Sequence, residues 1–269
     1  MYVKDFEFDG KRLSDFGCIL ASFNGSSDGE YPSGASVTLS TDTTSGSDRF
    51  DLFGSHYDQP YSVQFSIIKD PCIALTQEEM YFTPREISSI QRWLCRRSRY
   101  GKFKVDADGY RNLYWMGSFT SQQYEMNGIT IGLNIVFTAD SPYAHQEPII
   151  VDLDLSDEKE FTIYSGSDEE GYIIPDLKIT LLSGGDFVFE NSRDAKKFKI
   201  NNCTANEVIT INGTYQIITS SDASHDLGND CNYLFPRIFN TYDDTKNVFT
   251  SNLSCKIEMS YAPAMKVGI

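Results

Sequence analysis

The chain has 269 residues and a formal net charge of −15; 40% of the residues are apolar and 13% aromatic. That length sets an expectation of roughly two domains, each large enough for its own core. The charge divides as −6 over residues 1–147 and −9 beyond, which argues against nucleic-acid binding, because holding phosphates requires clustered Lys and Arg.

Taken in order, residues 2–8 (YVKDFEF) alternate polar and apolar as a strand, and Asp9-Gly10 is a hairpin turn signal. A second strand covers Cys18 to Phe23, followed by a Gly/Ser-rich loop from Asn24 to Ser36. VTLST and FDLFG read as strands on either side of a polar loop, Asp42 to Asp48. Tyr61 to Lys69 is the cleanest strand of this half, with Val63, Phe65 and Ile67 on one face and Ser62, Gln64 and Ser66 on the other. Asp70-Pro71 ends it.

Thr83 to Leu113 holds the one strong amphipathic helix, expected over about 84–97. Thr83 is placed as its N-cap, Pro84 at its first position, and Glu86 three residues past the cap completes a capping box. Ile87, Ile90, Trp93 and Leu94 recur at helical spacing. Arg96, Arg97 and Arg99 crowd the far end, where cations complement the helix dipole, and Gly101 offers a stop. KFKVD then reads as a strand and Asp108-Gly109 as a turn. Two long strands follow, NLYWMGSFTSQQYEM and ITIGLNIVFTAD, joined at Asn127-Gly128. Residues 144–150 read as a linker, with a domain boundary near Glu147, giving domains 1–147 and 148–269.

Beyond it, short strands recur with turn residues between them and no helical stretch: VDLDL, DLKITLL, DFVFEN, KFKIN, EVITING, YQIIT and NLSCKIEMSY. That pattern describes a β-sandwich or jelly roll.

The search for chemistry is negative. Six cysteines, Cys18, Cys72, Cys95, Cys203, Cys231 and Cys255, are scattered without CxxC pairs, so they read as small buried residues kept reduced rather than as a metal site or a disulfide scaffold. The Asn-x-Ser/Thr sequons matter only in a secretory chain. The opening MYVKDFEFDGKRL lacks the apolar segment of a signal peptide, and no run approaches the roughly 20 apolar residues of a membrane span. His56 and His145 are placed in loops and His225 beside Asp226, as surface or capping residues. No GxSxG, P-loop, GxGxxG or HExxH pattern occurs. The carboxylates of VDLDLSDEKEF fall on one solvated strand face, and the acidic run 165–171 has no assigned role. Neither supplies the DxDxDG loop of a calcium site, and a glycosidase acid pair is the least favoured reading of them. No catalytic residue, cofactor or metal is expected.

The blocks FEFDGKRLSDFGCILAS, DRFDLFGSHYDQPYSVQFSIIKDPC, REISSIQRWLCRR with FKVDADGYRNLYWMGSF, and ITIGLNIVFTADSPYA follow one another in the first part. FKINNCTANEVITINGTYQIITSS and HDLGNDCNYLFPRIFNTYDDTKNVFTSNLSCKIEMSYAPAMKVG complete the second. In this order and spacing the chain resembles the distal tail proteins of long-tailed bacteriophages, the siphovirus-type tail component family. The resemblance implies a mainly β fold: an N-terminal β-sandwich or split-barrel domain with one α-helix, which forms the ring, and a C-terminal galectin-like β-sandwich. It implies a non-enzymatic structural role in a homo-hexameric hub ring. That ring would join the tail tube protein to the tail tip or tail-associated protein, with receptor-binding proteins as further partners. The place would be the virion tail tip, after assembly in the bacterial host cytoplasm. Arg96, Arg97 and Arg99 are the candidate protomer interface, set to pair with acidic groups of a neighbour in an acidic protein. The alternative is a carbohydrate-binding module in residues 148–269 that recognises host cell-wall sugars, with Tyr164, Tyr172, Tyr215 or Tyr233 as stacking platforms.

Overall fold

A computed structural model describes residues 5–21, 34–43, 45–46, 48–95 and 98–267. The chain divides into two compact units, Met1–His145 with Lys266–Ile269, and Gln146–Met265.

The first unit contains β1 (Asp5–Phe8), β2 (Lys11–Arg12), β3 (Cys18–Ala21), β4 (Val37–Asp42), β5 (Asp51–Tyr57), β6 (Ser62–Lys69), α1 (Pro84–Leu94), β7 (Gly101–Asp106), β8 (Leu113–Met126), β9 (Ile129–Ala139) and the start of β10 (Ala144–Gln146). Its main sheet runs in the order β2-β1-β7-β8-β9-β6-β3, antiparallel throughout. Phe6 of β1 and Phe65 of β6 are separated by three intervening strands, yet their ring centroids lie 6.0 Å apart. A flat sheet would hold them roughly 19 Å apart at about 4.8 Å per strand. The sheet therefore curls over into a split barrel filled by aromatic rings, with Phe103 against Phe137 at 4.4 Å and against Phe119 at 5.4 Å.

The anticipated turns form. Asp9 and Gly10, and Asn127 and Gly128, all take positive φ, the conformation that a two-residue hairpin turn needs to match strand twist. The helix start also forms as read. The Thr83 hydroxyl accepts from the Glu86 amide at 3.4 Å, and the Glu86 carboxylate accepts from the Thr83 amide at 2.8 Å. The helix end differs from the expected 97. Cys95 already leaves helical geometry, its amide donating to the Gln91 carbonyl at 2.8 Å. Gly101 is not the stop but the first residue of β7, opposite Gly117 of β8. A Cβ at Gly101 would lie 2.6 Å from Phe8 Cε2, and one at Gly117 would lie 2.5 Å from Phe137 Cζ. The two glycines make room for rings that fill the barrel. Gly117→Ala is expected to lower unfolding stability by about 1–3 kcal/mol, the usual cost of overpacking, read from urea midpoints with an unchanged denaturant slope.

The second unit contains β11 (Ile149–Leu155), β12 (Glu160–Tyr164), β13 (Gly171–Ile173), β14 (Asp176–Leu181), β15 (Gly185–Asn191), β16 (Lys197–Cys203), β17 (Val208–Asn212), β18 (Ile217–Ser220), α2 (Leu227–Asp230), β19 (Ile238–Asn240), β20 (Lys246–Ser251), β21 (Cys255–Tyr261) and β22 (Ala264–Met265). Five strands, β11-β21-β14-β17-β18, form one sheet, and four, β12-β20-β15-β16, form the other. Ile179, Ile209, Ile211 and Ile257 from the first meet Phe187, Phe189, Phe198 and Phe249 from the second in one core cluster. This is a β-sandwich, with alternating inward residues supplying the core.

Two expectations change, for the linker and for the absence of helix in the second unit, and the acidic run forms a loop as expected. The linker over 144–150 is mostly strand, because β10 and β11 leave only two residues between them, and the Gln146 amide is taken up by the Pro263 carbonyl at 2.9 Å. The second unit carries one helical turn, α2, too short to show as apolar periodicity. The acidic run is an ordered loop. Asn240 donates to the carbonyls of Ser167 and Glu169 at 2.8 and 2.7 Å and accepts from the buried Ser165 hydroxyl at 2.5 Å. As expected, Asp152 and Asp154 lie exposed on the outer face of β11 while Val151, Leu153 and Leu155 turn inward. No helix among the described residues is long and apolar enough to cross a membrane.

Candidate assembly interface

Two hairpins of the first unit present apolar side chains to solvent. Among the described residues, β4 and β5 pair only with each other, and Leu39, Leu52 and Phe53 on them are 59%, 61% and 74% exposed. A lone two-stranded hairpin is marginal in water, and its free edges are templates for another chain. The β8–β9 hairpin is buried at its base and exposed from Gln122 through Ile129, where Tyr124, Met126 and Ile129 face outward. A bulge between Tyr124 and Glu125 bends this outer part.

The helix lies on the barrel. Trp93 stacks on Phe16 at 4.4 Å and on Phe6 at 5.7 Å, and its indole N–H donates to the Phe8 carbonyl at 2.8 Å. Glu86 reaches Lys69 of β6 at 2.7 Å. Burial works against the Glu86 charge, but the Lys69 and Thr83 hydrogen bonds outweigh it and hold the carboxyl below its usual range. Of the predicted interface cations, Arg96 and Arg97 fall outside the described residues. Arg99 Nη2 lies 3.1 Å from Asp9 Oδ2 of its own chain, with the Arg99 side chain 70% exposed. Asp9 also takes the Lys102 amide at 3.0 Å, so Arg99 helps to tie the β1–β2 turn to the start of β7.

The histidines are placed differently from expectation. His56 lies in β5, 2.9 Å from Asp58, and His145 lies in β10, not in loops. Burial depresses the His145 pKa against the opposing pull of Asp140. His225 is no surface residue, with its side chain 3% exposed. Its Nδ1 lies 2.5 Å from Glu207 Oε1 and its Nε2 lies 2.9 Å from the Asn201 carbonyl. Glu207 also accepts from the Ser220 hydroxyl at 2.5 Å and the Thr204 amide at 2.8 Å. Burial opposes both charges, but these bonds hold Glu207 below and His225 above their ordinary pKa values. Cys203 sits in the same cluster, its thiol pushed up to about 12 by burial and then by the Glu207 charge. The cluster lacked a sequence signal because its members meet only where the β16–β17 turn folds against the segment before α2.

All six cysteines are free; Cys72 is exposed and Cys95 half-buried, the other four being buried as expected. In the second unit, Ile150, Lys178, Thr210, Asn212 and Glu258 border a shallow hollow of about 370 Å³. No aromatic ring lines it, and Tyr164, Tyr172, Tyr215 and Tyr233 lie elsewhere. Sugar recognition by stacking finds no platform there.

The chain is thus built of two β-rich units, a split barrel with exposed apolar hairpins and a β-sandwich. The chain belongs to a phage tail protein family: the model of the phage tail protein N-terminal domain matches residues 1–141, and that of the phage tail C-terminal domain matches residues 143–261. It is thus a phage tail component. Among solved structures it is similar to the Dit protein of phage SPP1, described as a paradigm of the hub adsorption apparatus in phages infecting Gram-positive bacteria. The TM-score is 0.67 at 10% identity, over 97% of this chain and 99% of that one. Among curated proteins, none matches by sequence.

Proposed function

We propose that the chain is a distal tail protein, one protomer of a hexameric hub ring that joins the tail tube to the tip or baseplate proteins. The observation that carries this reading is the β4–β5 hairpin, whose Leu39, Leu52 and Phe53 are exposed among the described residues. A ring closes through heterologous contacts, in which one patch meets a different patch on the neighbour. An exposed apolar hairpin is suited to that role, and the β8–β9 hairpin supplies a second such element. Arg96, Arg97 and Arg99 are assigned to the same neighbour contact, with Arg99 shared between Asp9 and the adjoining protomer. The second unit, a galectin-like sandwich in this reading, projects outward and docks receptor-binding or baseplate proteins. The ring sits at the virion tail tip after assembly in the host cytoplasm.

The test is the assembly state by light scattering and negative-stain microscopy. Wild-type protein is expected as six-membered rings. Leu52→Asp with Phe53→Asp is expected to leave folded monomers, because both side chains are solvent-exposed in the single chain. Monomers for wild type at all concentrations would overturn the ring, and intact rings in the double variant would overturn the hairpin's part in it. Rings that survive Arg99→Glu at low salt would remove the arginine contact.

A further inference from the structure

We propose that Cys203, Glu207 and His225 form a binding site for one divalent cation of the zinc class. One ligand atom from each lies within 4.8 Å of the other two, the sole such group among the described residues. The donors are a thiol, a carboxylate and an imidazole, the set that zinc takes in preference to calcium or magnesium. A tetrahedron with bonds of about 2.0–2.3 Å has edges of roughly 3.3–3.8 Å, so the site forms when the widest pair draws in by up to about 1 Å and Nδ1 and Oε1, now 2.5 Å apart, open by about 0.8 Å.

Two features of the surroundings favour a cation. First, the imidazole is already oriented as a metal ligand: Nε2 is held on the Asn201 carbonyl at 2.9 Å, the second contact that ligating histidines characteristically make. Nδ1 is thereby turned toward Glu207 Oε1, 2.5 Å away. Second, the field is negative. Asp186, Glu207 and Asp230 act on Cys203, and Asp222 and Asp230 act on His225.

Binding replaces the proton between Nδ1 and Oε1 with the cation. The Cys203 thiol and the imidazolium each release one proton to solvent, and the metal gains one sulfur, one nitrogen and one oxygen ligand. Three protein ligands leave a fourth position for water or for a group from a partner protein. The lack of any CxxC pair hides such a site from a motif search, because the ligands come from a turn and a distant loop.

The experiment uses the full chain, stripped with chelator, with the exposed Cys72 replaced by Ser. Co²⁺ is titrated in, followed by Zn²⁺ as competitor. One equivalent of Co²⁺ is expected to bind with a thiolate-to-cobalt charge-transfer band, displaced by one equivalent of Zn²⁺. Cys203→Ser is expected to lose the band, and His225→Gln to weaken binding at least tenfold. No charge-transfer band in the Cys72→Ser protein overturns the proposal, whatever the other variants do. A band that persists in Cys203→Ser also overturns it, by placing the metal elsewhere.

Discussion

Trp93→Ala is expected to lower the stability of the first unit by about 3–5 kcal/mol, the range for truncating a large buried aromatic residue. The Trp93 side chain is 3% exposed, stacked between Phe6 and Phe16, and bonded through its indole to the Phe8 carbonyl. Truncation removes the only ring that joins α1 to this aromatic stack, and the cavity opens directly beside β1. Trp93→Phe separates packing from hydrogen bonding. It keeps a ring in the stack and loses the N–H donor, so about 1 kcal/mol of the loss is expected to remain from the bond, together with a packing term for the smaller ring. Urea unfolding followed by near-ultraviolet circular dichroism reads both variants. An Ala variant within 1 kcal/mol of wild type would show that the helix is not anchored through this residue.

Asp194→Asn is expected to destabilise the second unit by about 3–5 kcal/mol near neutral pH, the cost of breaking a buried ion pair from one side. Arg237 Nε and Nη2 meet the two Asp194 oxygens at 2.7 and 2.5 Å, with Asp194 5% and Arg237 20% exposed. The guanidinium lies 4.9 Å from the Tyr172 ring and 5.0 Å from the Phe239 ring. Such a fork matches carboxylate geometry in a way that Lys cannot. The pH dependence follows from the Arg237 hydrogen bonds, which hold the Asp194 carboxyl below its ordinary value of 3.8 despite the opposing effect of burial. A depressed folded-state pKa stabilises above the unfolded value, and that stabilisation is lost as pH falls through the folded one. The gap between wild type and Asp194→Asn is therefore expected to be full at neutral pH and to close only below about pH 4. Unfolding curves across pH 2–7 check it; a gap that stays constant to pH 2 would remove the charge argument and leave packing alone.

The same contrast between local and distant partners separates what was legible in the sequence from what was not. The capping box at Thr83 and Glu86, the alternation in β6, and the turns at Asp9-Gly10 and Asn127-Gly128 are interactions over two to four residues. They form as read because their partners sit beside them in the chain. The β-rich composition and the order of blocks likewise carry the fold class and the family. Gly101 and His225 differ from expectation for the opposite reason. A glycine after a run of arginines looks like a helix stop. Only the long-range pairing of β1 with β7, which brings the Phe8 ring over Gly101, makes it a strand residue that must lack a side chain. His225 next to Asp226 looks like a surface residue, and only the fold of the β16–β17 turn, 18 positions back, buries it against Glu207. The exposed hairpin is a further case. VTLST and FDLFG form strands as read, and what leaves Leu39, Leu52 and Phe53 exposed is that, among the described residues, these strands pair only with each other. Periodicity determines which residues share a face; which surface that face meets is decided by long-range strand pairing and, in the reading proposed here, by the neighbouring protomer.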